Sequence, residues 1–183
     1  MKKSILLLLL TAPLLMQSQI LTVPEDDINV QFGFYVDPTL TDKGAQIGAF
    51  ATMVMNWGFV GVSTSTYPKL GGVGYRDLVG ELGLNWHLFE FEPVRYFAGF
   101  RLGRLWREKG GGYELAGGLI GFDWRVTRRD APVDVFLGLR FWADYREDQK
   151  NRAYGDSDAY KRGLITNNPL IQENGAFSVS FSF

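Results

Sequence analysis

The feature that most limits this chain is period-two alternation, repeated along eight stretches with no convincing helical stripe between them. The clearest case is the end, "GAFSVSFSF", where Phe177, Val179, Phe181 and Phe183 alternate with Ser178, Ser180 and Ser182. Successive residues of a strand point to opposite faces, so such a stretch has one oily face and one small polar face. The same reading places strands at 28–37, 45–56, 58–67, 76–89, 94–106, 113–126, 133–146 and 175–183. The third, "VGVSTSTY", is the weakest, because Ser and Thr fall on both faces.

Across the set the faces sort consistently. One carries Phe32, Phe34, Ile47, Met53, Leu82, Leu84, Phe100, Ile120, Leu137, Phe141 and the terminal Phe/Val row. The other carries Gln31, Gln46, Glu81, Asn85, His87, Arg95, Arg101, Asp123, Arg125, Asp134, Arg140 and Asp144, with most of the strand glycines.

Two barrels fit this pattern. In a secreted, soluble, lipocalin-like barrel the oily face would line the inside. In a membrane barrel it would face lipid. The second is favoured because the charged face is also the glycine face. A narrow lumen needs small residues beside long Arg and Glu side chains, whereas glycine only weakens a solvent-facing strand. The oily face is also too bulky to fill one small barrel. Aromatics such as Trp57, Trp86, Tyr96, Trp106, Trp124 and Tyr145 gather near strand ends, where interfacial girdles belong.

The connections agree. If the N-terminus lies on the periplasmic side, "NWG", "EFEP" and "TRRDAP" return to that side and are short. The opposite connections are longer, ending with a segment at 146–174. Short periplasmic turns, longer outer loops and an even strand count define the bacterial outer-membrane pattern. The start, "MKKSILLLLLTAPLLMQSQ", has a basic n-region and an apolar core, and reads as a signal peptide over 1–19, followed by a tail at 20–27 and the barrel at 28–183. No later run approaches the roughly 18 apolar residues of a spanning helix.

Composition narrows the chemistry. With 19 Lys+Arg against 20 Asp+Glu there is no basic face for nucleic acid. With no cysteine, thiol catalysis, disulfides and cysteine metal sites are excluded.

In layout the chain resembles the small eight-stranded outer-membrane barrels of the OmpA and OmpX type. The resemblance implies an all-β, eight-stranded, antiparallel, up-and-down transmembrane β-barrel. It also implies that a C-terminal strand ending in Phe, here Phe183 with Phe181 and Phe177, is read by the barrel-assembly machinery. The expected surroundings are outer-membrane lipid, and the expected location is the bacterial outer membrane as a multi-pass protein after export.

Lumen charges are the candidate site. Reflecting the fourth strand onto the fifth sets Glu81 opposite or diagonal to Arg101. The same construction places Arg125 beside Asp134 and Arg95 near Asp123. A charge in a narrow lumen requires a partner, so these pairs follow from desolvation. A plugged lumen is expected; the alternative is a gate in which Glu81 exchanges between Arg101 and Arg140, for which OmpA-like barrels offer precedent.

His87, the only histidine, shares a strand face with Glu81 and Asn85. Outer-membrane lipid-modifying enzymes exist, but here no nucleophile stands within reach of it. "YGDSDAY" lacks both a downstream histidine and a calcium-loop spacing. No catalytic, metal or cofactor site is expected. The function expected is non-enzymatic: envelope structure, or surface interaction with a ligand or protein at the 146–174 loop.

Overall fold

The computed structural model describes residues 28–38, 46–67, 74–88, 93–107, 111–128, 131–150 and 170–183. The signal and tail expected at 1–27, and most of the 146–174 segment, lie outside the described residues. Eight antiparallel strands form one closed barrel in sequence order. They are β1 (Asn29–Asp37), β2 (Gln46–Val54), β3 (Gly58–Tyr67), β4 (Tyr75–Trp86), β5 (Val94–Arg107), β6 (Gly112–Arg125), β7 (Asp134–Arg146) and β8 (Ile171–Ser182). A 3-10 turn, Glu147–Lys150, follows β7.

β8 closes the ring against β1, with Phe177 opposite Val36, Val179 opposite Phe34 and Phe181 opposite Phe32. Closure leaves no unpaired sheet edge. The Phe183 amide extends the ladder by donating to the Val30 carbonyl at 3.1 Å.

The oily face is outside. Phe34 is 64% and Phe100 69% exposed, whereas Glu81 and Arg101 are buried. This is the reverse of the soluble, oily-inside alternative. The third strand, ambiguous in sequence, alternates cleanly: Val60, Val62 and Thr64 point out while Ser63 and Ser65 are buried. β8 starts four residues earlier than the sequence pattern placed it, because Gln172 and Asn174 are polar lumen residues rather than loop.

The lumen is more aromatic than expected. Tyr35, Phe50, Phe59, Phe97, Leu119, Trp142 and Ala176 form a buried cluster inside it. Some of the lumen glycines make room for these rings. A Cβ on Gly33 would sit 2.5 Å from the Phe50 ring, and one on Gly48 would overlap the Tyr35 ring.

Candidate functional site

The centre of the lumen holds a chain of alternating charge. Glu81 and Arg101 are in register on β4 and β5. Arg140 Nη2 donates to Glu81 Oε2 at 2.6 Å, and Arg101 Nε lies 3.3 Å from Glu81 Oε1. That second contact is an ion pair without hydrogen-bond alignment. Arg101 Nη1 then donates to Asp144 Oδ2 at 2.9 Å. Ser63 Oγ donates to Glu81 Oε1 at 2.7 Å. All four charged side chains are buried, so each depends on its neighbours for solvation.

Rings clamp the cations. The Arg101 guanidinium sits 4.8 Å from the Trp142 ring centroid, and that of Arg140 sits 4.1 Å from Phe50. A planar, weakly hydrated guanidinium suits such stacking. Glu81 contacts Arg101 and Arg140 at the same time, where the gate reading had it exchanging between them.

Towards the end where β1 starts and β8 stops, Arg95 and Asp123 are in register and form an ion pair through Nη2 and Oδ2. Gln31 accepts from Arg95 at 2.6 Å and donates to Ser180 at 2.5 Å. Arg125 reaches Asp134 at 3.5 Å, at the partly exposed rim. His87 does not join Glu81 and Asn85. It lies beyond the end of β4, exposed, with Nδ1 3.0 Å from the Val94 carbonyl, which fixes that nitrogen as the donor. Asn85 is buried and donates to the Met55 and Gly58 carbonyls at 3.0 and 2.7 Å, tying down the β2–β3 hairpin.

Sequence reasoning missed a second cluster at the opposite end. Arg107 and Arg146 converge on Asp148 of the 3-10 turn, with Arg107 Nε–Oδ2 at 2.7 Å and Arg146 Nη2–Oδ2 at 2.8 Å. The Tyr75 ring lies 4.3 Å from the Arg146 guanidinium carbon and 5.5 Å from that of Arg107. Arg107 alternates in phase with Arg101, but it lies one residue beyond the strand expected at 94–106. Asp77 was missed too; it accepts from the Ser65 amide and hydroxyl, both at 2.6 Å.

Burial acts to raise the pKa of Asp148, but the Arg146 and Arg107 guanidiniums outweigh it and hold the carboxyl below its usual range. A depressed folded-state pKa contributes stability above the unfolded value of about 3.9, lost as pH falls through the lower folded value. The 3-10 turn is therefore expected to stay protected in hydrogen exchange, corrected for intrinsic rates, down to about pH 4 and to open below it. Asp148→Asn should open it at neutral pH. Equal protection in that variant would mean the cluster does not hold the turn.

No family model matches this chain, and no curated protein matches it. Among solved structures, the crystal structure of Neisserial surface protein A (NspA) is similar. It is 17% identical, with a TM-score of 0.46, covering 85% of this chain and 95% of that one.

Proposed function

We propose that the chain is a non-enzymatic integral barrel of the bacterial outer membrane. In this reading its filled lumen is a plug, and its role is envelope structure or surface interaction through its outer loops, above all the 146–174 segment. The observation that carries it is the inside-out arrangement. Charged residues are buried and ion-paired inside a closed ring, while large apolar side chains cover the outside. Water would not tolerate that exterior, and lipid accepts it because every strand edge is paired. The buried rings and the Arg140–Glu81–Arg101–Asp144 chain support a plug rather than a channel. Cell fractionation tests it, followed by gels of the membrane fraction with and without boiling. A closed membrane barrel migrates differently in the two samples; recovery in the aqueous periplasmic fraction would overturn the reading.

Phe183, Phe181 and Phe177 are proposed as the signal for the assembly machinery. Phe177 and Phe181 lie on the outer face of β8, and Phe183, the residue after it, is 66% exposed. Phe183→Asp is expected to lower outer-membrane insertion severalfold, by heat-modifiable band intensity, while Ser182→Ala on the lumen side leaves it unchanged. Equal insertion of both variants would remove the terminal ring from that role.

A further inference from the structure

A cavity of about 20 Å³ lies inside the lumen, between Arg140 and the Arg95–Asp123 pair. Phe50, Phe59 and Phe97 form its oily walls, with the Phe59 and Phe97 rings edge to face at 5.9 Å between centroids. About 10–15 Å³ of such space admits one water. The cavity therefore takes one small species and has no room for a phosphate or a carboxylate.

The polar groups on its wall have more donors than acceptors to meet them. A guanidinium carries about five N–H bonds, and among the described residues only Nη2 of Arg140 has an acceptor, Glu81 Oε2. The other two nitrogens of Arg140 have none, and this guanidinium, 4.1 Å from the Phe50 ring centroid, borders the cavity. Arg95 spends Nη2 on Asp123 and Gln31, and its Nε is buried without a partner. Thr52 is buried, and its hydroxyl has no partner among the described residues; it sits over Gly61, where a Cβ would lie 2.7 Å from it. Of the charged side chains on the wall, two are cations and one is a carboxylate, Asp123, which is already turned onto Arg95 and Gln31.

We propose that this cavity binds a single monoatomic anion of the chloride class, held by Arg140 and the Thr52 hydroxyl, with Arg95 on the far wall. Size excludes larger anions. The surplus of donors selects an anion over water, which would bring two more hydrogens to a wall that already lacks acceptors. Unmet N–H bonds on a buried guanidinium cost stability, and charge-assisted bonds are the strong kind. The anion supplies the missing acceptor and steadies Arg140, and with it the contact to Glu81. The site belongs to the lumen and does not depend on what meets the outer face.

The test follows urea unfolding of the full chain in uncharged detergent by tryptophan fluorescence. Sodium gluconate is exchanged for sodium chloride at constant ionic strength, gluconate being too bulky for the cavity. A saturable response is expected, lowering the unfolding equilibrium constant about tenfold once chloride exceeds its Kd by that factor. Thr52→Val keeps the ion pairs and should remove most of the response. Arg140→Gln should abolish it, and Arg128→Gln, an exposed cation beyond the end of β6, should leave it whole. Comparison with the unaltered chain at the same salt cancels general salt effects. A response that survives in Thr52→Val, or that falls equally with Arg128→Gln, would overturn the site. Crystals grown in sodium bromide give a second readout: anomalous scattering should place one bromide within hydrogen-bond reach of Arg140 and Thr52. Water alone at that position would overturn the anion assignment.

Discussion

Glu81→Gln is expected to cost the barrel about 3–5 kcal/mol, the range for breaking a buried ion pair by removing one partner. The change is nearly isosteric, so the loss reports charge rather than volume. Glu81 serves both Arg140, at 2.6 Å, and Arg101, at 3.3 Å, and all three side chains are buried. Arg101→Met should cost a similar amount for a different reason. It strands Asp144, whose Oδ1 already lacks a hydrogen-bond partner. The double variant should recover part of the loss, with a coupling energy of about 1–3 kcal/mol. Recovery stays partial because the four charges form a chain: removing its middle leaves Arg140 and Asp144 at the two ends. Denaturant unfolding of the four proteins in vesicles measures this directly. Strict additivity would mean that the contact contributes nothing. Low planar-bilayer conductance in every variant supports a plug, whereas a rise in Glu81→Gln would favour a gate.

What could be read from the sequence was whatever parity alone decides. Parity assigned Phe177 to Phe183 a common face and set Glu81 beside Arg101, because a strand has only two faces and a short hairpin fixes register. Composition misled where it was used in place of parity. Tyr35, Phe50, Phe97 and Trp142 alternate in phase with the lumen charges, yet an expectation of a polar lumen passed over them. They lie inside because a narrow ring of charges needs low-volume neighbours at some positions and flat cations need faces to stack on elsewhere. Two of the glycines follow from the same fact, since Gly48 lies under the Tyr35 ring and Gly121 under that of Phe97. Ser63 and Ser65 looked like noise in the third strand, and they are hydrogen-bond donors to Glu81 and Asp77. The Arg107–Asp148–Arg146 cluster was beyond reach for another reason: a 3-10 turn brings Asp148 back over the strand ends, which no alternation reveals.

Leu82→Arg is expected to destabilise the barrel in a bilayer by about 2–4 kcal/mol, and Leu78→Arg by no more than about 1 kcal/mol. Both leucines face outward on β4, 56% and 50% exposed, so their surroundings within the protein are alike. They differ in depth. Leu82 lies mid-strand between Val60 and Phe100, whereas Leu78 faces Arg104 at the level where outward charge begins. A guanidinium at Leu78 can reach the headgroups, and one at Leu82 cannot without thinning the bilayer or dragging water in. An inward change gives the contrast. Gly121→Ala adds one methyl, yet that carbon would meet the Phe97 ring and the Leu139 carbonyl, so about 1–3 kcal/mol is expected from overpacking rather than from depth. Urea titration in bilayers of two thicknesses separates the causes. The Leu82→Arg cost should grow with hydrocarbon thickness, and the Gly121→Ala cost should not change. A barrel meant for water would reverse the order, because an arginine at an exposed leucine is nearly neutral there while the glycine clash remains.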